Sequence, residues 1–397
     1  MKRTTLRTPA AALPLALAAV LPLLVPRLAL PAEPPGLSLG GLLAAQTAVN
    51  FQGRVEPLVT LRFIPEVAFS LALGRGVTLD GEFSARASAS ADLLTDAPAA
   101  TSADIEPYRG WIRLSTPRFE ARLGLQKVAF GSATLFRPMM WFDAIDPRDP
   151  LQLTDGVYAL LLRYYTRGNA NFWAWAMLGN DKTRGFDLAP PDRDAPEFGG
   201  RLQFPLFKGE IAATYHRRKA AVDGLVPVMD PGASPLPVPP VPEDRFGFDG
   251  KWDAGVGLWL EGTLVHQRTA LLPFPYQLSL AAGLDYTFGL GRGLTVLAEQ
   301  FRLESSTRAF ARGAALDLTG LLLRYPLGLA DELSGIFYYD WKDRDVYRFL
   351  TWKRTSNALS FSLSLFWNPE ELRALPGQTA SAAFAGRGFQ VLLGYYF

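Results

Sequence analysis

The sequence predicts an all-β fold, an antiparallel transmembrane β-barrel of roughly 18 strands, with 16 as the count if the first hairpin lies outside the wall. Three observations carry this. Segment after segment alternates apolar and polar residues at period two, as in Leu359, Phe361, Leu363, Leu365 and Trp367 interleaved with Ser360, Ser362 and Ser364. Beyond the N-terminal segment no apolar run is long enough for a membrane helix. Short connections alternate with long ones along the whole chain.

The chain opens with Lys2, Arg3 and Arg7 ahead of an apolar stretch from Ala10 to Val25, and reaches Leu30-Pro31-Ala32. That order of basic, apolar and small residues predicts a signal peptide over 1–32 and a barrel over 33–397. Losing Lys2, Arg3, Arg7 and Arg27 would turn the formal charge from +2 to −2.

Along the barrel, turn residues mark the short connections at Gly74-Arg75-Gly76, Thr116-Pro117-Arg118, Arg167-Gly168-Asn169, Phe207-Lys208-Gly209, Ala254-Gly255, Gly289 to Gly293, Gly328 to Asp331 and Thr355-Ser356. Longer connections are expected near 92–106, 130–154, 180–196, 220–243, 268–275, 306–314 and 368–386, with tighter ones near 52–56 and 343–344. Both chain ends then lie on the short-turn side. A soluble sandwich would share the alternation, so the faces decide. The apolar rows end in aromatics (Tyr276 with Phe288, Leu333 with Trp341), as at membrane interfaces, and the opposite rows carry Glu82, Arg122, Arg163 and Asp285 at mid-strand, which a wet lumen tolerates.

Composition excludes other classes. There is no cysteine and there are two histidines, so no disulfide framework, thiolate site or three-histidine metal site is possible. Forty basic against 38 acidic residues lacks the basic bias of a nucleic-acid binder. No G-x-S-x-G elbow accompanies His216 or His266; the first is expected at a basic strand end on the membrane rim. Gly289 to Gly293 is a hairpin turn and not a phosphate loop. The reading is therefore non-enzymatic, with no cofactor and no metal.

The last strand alternates Phe389, Val391, Leu393, Tyr395 and Phe397 with Gly388, Gln390, Gly394 and Tyr396. This ending resembles the terminal strand of Gram-negative outer-membrane proteins, whose final aromatic residue is recognised by the barrel-assembly machinery; Tyr395 and Phe397 would be that signal. From these residues the chain resembles outer-membrane barrels of the porin type, and more loosely, by strand count alone, the alginate exporters. The resemblance implies the outer membrane of a Gram-negative bacterium, surrounding lipid, and passive passage of a hydrophilic solute. The alternatives are the outer-membrane component of a polysaccharide or other envelope export complex, with a polymer and complex partners, or a structural barrel with an occluded lumen. A homo-oligomer is open on either reading.

Size favours a conduit, because barrels of 16 to 18 strands leave an aqueous channel. The inward set expected from alternation holds Arg62, Arg86, Arg109, Arg113, Arg122, Arg163 and Arg201 on nearly adjacent strands. These arginines either set up a field that orients a solute or pair with Glu82, Glu120 and Glu197 to keep the lumen neutral. The third long connection, from Phe130 to Gly156, is rich in apolar and aromatic residues that a loop in water does not need. By resemblance to porins it would fold into the lumen as a constriction carrying Arg137, Trp141, Asp143, Asp146, Arg148 and Asp149. Asp146-Pro147 and Asp149-Pro150 also read as turn initiators, and the aspartates lack the ligand spacing of a calcium loop. The proline-rich stretch from Ala220 to Asp244 reads as an extended surface arm.

Overall fold

The computed structural model describes residues 36–51, 56–92, 100–222, 238–369 and 384–397. The expected signal segment and most of the proline-rich arm lie outside the described residues. Eighteen strands form one antiparallel sheet: β1 (Leu37–Asn50), β2 (Glu56–Gly74), β3 (Val77–Asp92), β4 (Ala100–Ser115), β5 (Phe119–Gln126), β6 (Val157–Tyr165), β7 (Asn171–Met177), β8 (Glu197–Leu206), β9 (Gly209–Ala220), β10 (Val241–Asp253), β11 (Gly257–Gln267), β12 (Tyr276–Phe288), β13 (Leu294–Ser306), β14 (Ala314–Pro326), β15 (Asp331–Asp340), β16 (Asp345–Thr355), β17 (Leu359–Trp367) and β18 (Arg387–Tyr396). Each strand pairs with its neighbour in sequence, and β1 pairs with both β2 and β18, so the sheet closes on itself. Closure leaves no edge strand, which lets a sheet sit in lipid with every backbone group bonded.

Two connections differ from expectation. β4 begins at Ala100, so the second long connection is shorter than 92–106, and Val241–Asp253 is strand, so the proline-rich arm ends earlier than Asp244. In both places the residues alternate and find ladder partners, which outweighs their local turn character.

The seam between β1 and β18 explains a glycine. Gly41 exchanges backbone bonds with Phe397, N to O at 3.0 Å and O from N at 3.2 Å. A Cβ there would stand 2.5 Å from the Ile64 carbonyl oxygen and 2.6 Å from the Phe397 ring, which itself stacks on Phe63 at 5.9 Å.

Register fixes the two faces. The outward rows are apolar and exposed, among them Phe63, Leu123, Leu160, Leu202, Phe248 and Leu284. Aromatics stand at both ends of these rows, as Tyr276 and Tyr286 do on β12. Ten residues at about 3.4 Å each, tilted about 40°, span about 26 Å, the height of a membrane's apolar band. The inward rows hold the ionisable residues, from Arg62 and Asp80 to Asp249 and Asp285, as the alternation requires.

One half of the inner wall departs from the expected polar lining. From β12 to β17 the inward rows carry Ala281, Leu297, Phe301, Leu318, Ile336, Tyr338, Tyr347, Phe349 and Phe366, all buried. Apolar side chains facing a lumen need a cover. The cover is the connection between β5 and β6, helped by that between β7 and β8.

Candidate functional site

The β5–β6 loop, residues 127–156, turns into the barrel. Its first limb leaves β5 against β6 and β7, where Val128, joined by Met139, Trp141 and Phe142 as the loop comes back, is buried with Val157, Ala159, Leu161 and Trp175. Phe130 stacks on Trp175 at 5.8 Å and meets Trp141 and Phe142 edge-on at 5.8 and 5.7 Å. This aromatic content is what the sequence flagged, and here it fills space between loop and wall.

The limb then crosses to the opposite wall. Glu261 on β11 accepts the backbone N–H groups of Ser132 (2.7 Å), Ala133 (2.8 Å) and Met139 (2.6 Å). Glu299 on β13 accepts those of Thr134 (2.5 Å), Leu135 (2.8 Å) and Phe136 (3.0 Å), together with the Trp259 indole N–H at 2.8 Å. Burying a carboxylate is costly unless its oxygens are saturated by donors, and here both are. Each thus becomes a fixed clamp on the loop backbone. Gly131 permits the approach: its φ is +102°, and a Cβ would lie 2.5 Å from Glu261 Oε2. Past the clamp, Phe136 stacks on Phe301 at 5.0 Å and meets Tyr338 at 5.5 Å, covering the apolar half-wall.

The return limb carries the polar residues singled out in the sequence, and most face one another. Arg137 grips Asp143 with two bonds of 2.6 and 2.8 Å. Burial alone would lower the Arg137 pKa, but the paired Asp143 carboxylate holds it above its ordinary value. Asp146 accepts the Arg148 backbone N–H (2.8 Å) and guanidinium (2.7 Å), while that guanidinium lies over Phe349 at 5.5 Å. Asp149 caps Leu151 N–H at 3.0 Å. Burial raises the Asp149 pKa, opposed by that bond. The limb runs past β16, where Lys353 Nζ donates to the Pro150 carbonyl (3.2 Å), and seats Leu151 and Leu153 on Leu42, Ile64 and Tyr108. Tyr108 is the extra residue of a β-bulge on β4, which turns both it and Arg109 inward. Arg109 then donates to the Thr154 carbonyl at 2.9 Å.

Asp155, at the end of the loop, joins a closed ring of four charges. It binds Arg86 (2.6 Å) and Lys182 (2.8 Å), and Glu106 binds the same two cations at 2.9 and 2.8 Å. The ring ties β3, β4 and both infolded loops together. Burial would raise the Asp155 pKa, but Lys182 and Arg86 hold it below the ordinary carboxylate value. Lys182 is shifted upward despite its burial by Asp155 and Glu106.

All seven wall arginines have partners. Arg62 donates to Gln46 (2.7 Å), Arg86 sits in the ring, Arg109 holds the loop, Arg113 binds Asp80 (2.9 Å), and Arg201 binds Asp249 with a second bond of 2.9 Å. Glu120 gathers Arg122 (3.0 Å), Arg113 (3.8 Å) and Arg163 (3.8 Å), and the Arg163 guanidinium lies 3.8 Å from the Trp173 ring centre. The other two carboxylates named from sequence pair elsewhere. Glu82 accepts the Trp111 indole N–H (3.1 Å), and Glu197 binds His216 (3.1 Å) and Asn180 (3.2 Å). Five of the seven arginines meet a carboxylate, three of them sharing Glu120, while Arg62 and Arg109 meet neutral acceptors.

The sequence reading missed three things. His216 is not at the rim; it is fully buried on the inward row of β9, between Glu197 and the Trp175 indole N–H at 3.1 Å. Glu299 went unnoticed, although one carboxylate among inward Leu297, Phe301 and Leu303 was a signal. The β7–β8 loop also folds inward, stacking Phe186 on Phe301 at 4.9 Å and placing Asp187 between Arg218 (3.1 Å) and Arg245 (2.8 Å). Below the crossing loop, on the short-turn side, a cavity of about 590 Å³ is lined by Glu210, Lys251, Gly257, Asp285 and Thr287 among others.

A closed antiparallel barrel of this shape recurs among solved structures. It has a porin-type fold. OccAB1 of Acinetobacter baumannii aligns at a TM-score of 0.57 and 9% identity, covering 91% of this chain and 96% of that one. OmpF of Salmonella typhi, solved with daunomycin, aligns at 0.48 and 12% identity over 91% and 97%. An anion-selective porin from Comamonas acidovorans aligns at 0.45 and 14% identity over 91% and 99%. No family model and no curated protein matches the sequence.

Proposed function

We propose that this porin-type barrel is a non-enzymatic channel of a Gram-negative outer membrane, passing small hydrophilic solutes down their gradients. The observation that carries the reading is the infolded loop: Glu261 and Glu299 clamp it across a barrel wide enough for an aqueous path, so it sets the bore. The apolar outward band with aromatic ends supports immersion in lipid, with the short turns toward the periplasm and the long loops outside. Pairing of five of the seven wall arginines with carboxylates favours weak charge selectivity over strong anion preference, and Arg137, Trp141, Asp143, Asp146, Arg148 and Asp149 shape the constriction by bracing the loop. A wide polymer passage is disfavoured by the loop that fills the centre. Tyr395 and Phe397, on the outward row of the seam strand, are the expected contact for the assembly machinery.

The test is conductance in planar bilayers with reversal potentials under a salt gradient, for the whole protein and for a variant with residues 132–141 replaced by a short glycine linker. Steady small steps that grow in the variant support the reading. Two silent proteins would overturn it.

A further inference from the structure

The outward face is apolar along most of the wall, but at the long-loop end of β9–β11 it carries a cluster of cations. Tyr215 and Phe246 pair at 5.2 Å, and His266 stacks on Tyr276 at 4.2 Å, forming the aromatic belt there. One step further out along the same outward rows stand Arg217 and Asp244, with Arg268 just past the end of β11 and bonded through its backbone N–H to the Pro242 carbonyl, and beyond them Lys219. Asp244 is only 2% exposed and accepts the Tyr215 hydroxyl at 2.7 Å. It draws in both guanidinium groups, Arg268 at 2.5 Å and Arg217 at 4.0 Å, whose side chains remain 50% and 40% exposed.

An arginine offers five N–H donors, and among the described residues Asp244 is the only carboxylate that meets either of these two. Three cations against one carboxylate leave the cluster positive. Asp192, on the β7–β8 loop, bonds its backbone N–H to the Lys219 carbonyl (2.9 Å), while its own carboxylate accepts the Asp194 N–H (3.3 Å) and so stays within its loop. A charge on a lipid-facing row is costly at mid-membrane and tolerated near the interface. A step beyond the aromatic belt is the headgroup layer, where the anionic groups are phosphates. Two guanidinium groups gathered around one buried carboxylate suit the several oxygens of a phosphate, and a nearby lysine adds a point charge.

We propose that Arg217, Arg268 and Lys219, aligned by Asp244, bind the phosphate of an outer-leaflet lipid. This rests on the outer-membrane placement proposed above, but the site lies outside the lumen, so it is independent of what the channel passes.

The test compares the wild type with R217Q/K219Q/R268Q and with D244N, each purified in detergent and titrated by native mass spectrometry with a bisphosphorylated glycolipid (lipid A), its dephosphorylated form, and inorganic phosphate. The wild type is expected to retain the phosphorylated lipid only. The triple variant should bind it about 100-fold more weakly, at about tenfold for each of two lost charge-assisted contacts. D244N should also weaken binding, by about tenfold, although it makes the cluster more positive. Equal binding by wild type and triple variant, equal retention of the dephosphorylated lipid, tighter binding by D244N, or competition by millimolar inorganic phosphate would each overturn the proposal. All three proteins should conduct alike, so failure here is distinct from failure of the channel reading.

Discussion

Replacing Glu261 and Glu299 together by glutamine should release the loop from the far wall while leaving the barrel intact. Each glutamine keeps one acceptor oxygen and turns an amide N–H toward the donors of the other. Keeping the better-occupied oxygen of Glu261 strands one donor, Met139 N–H; at Glu299 either choice strands two. Hydrogen bonds to a charged group contribute about 1.5–3 kcal/mol each, and relief of burying two carboxylates returns part of that, leaving a loss of about 3–5 kcal/mol in loop seating. The ratio of detached to seated loop then rises by a factor of about 100 or more. Single-channel recording should show larger and noisier steps. The protein contains no cysteine, so Ala133→Cys, at a buried position of the seated loop, introduced into both backgrounds reports seating directly: maleimide labelling should be slow with the glutamates and fast without them. Unchanged conductance with equally slow labelling would refute the clamp.

Gly131→Val places a side chain against Glu261 at a φ few residues adopt, and should mimic the release in part, read as increased current noise. Glu120→Gln leaves Arg113, Arg122 and Arg163 with less compensation, so the reversal potential should move toward anions; no movement would mean that these arginines do not face the permeating ions. Acid should open the four-charge ring. Asp155 is held below its ordinary value near 3.8, so its contribution is complete above that pH and is lost as pH falls through the lowered value. Lys182, raised above 10.5, keeps its contribution below that pH and loses it as pH rises through the raised value. The ring should therefore stay closed between about pH 4 and 10, and current noise from its opening should grow below that range. Phe397→Ala removes the ring stacked on Phe63 and should lower the yield of heat-modifiable, folded barrel recovered from membranes.

The wall was legible because period-two alternation has no cheaper explanation in lipid: rows such as Leu280, Leu284 and Tyr286 can face only one way. The inward arginines followed from the same parity. The apolar half-wall was not legible, since Leu297, Phe301 and Leu318 look outward-facing by composition and only the infolded loop makes their inward position favourable. The loop announced through Phe136, Met139, Trp141 and Phe142 that it packs somewhere, but composition does not say against what. Its destination depends on Glu299, more than 160 positions away in the chain. Tyr108 was hidden for another reason: a bulge shifts parity by one residue, and nothing local in the sequence marks it.

The seam has a consequence for how the molecule comes into being. Its partners, Leu43 and Tyr395, stand near opposite ends of the sequence, whereas every other ladder joins neighbours. Hairpins can form locally and early, but the ring gains its last row of bonds only after the largest loss of chain entropy. Until then β1 and β18 each present a bare, largely apolar edge to any other strand nearby, so crowding during biogenesis, rather than the stability of the finished barrel, is the stage at which this chain is most exposed to aggregation.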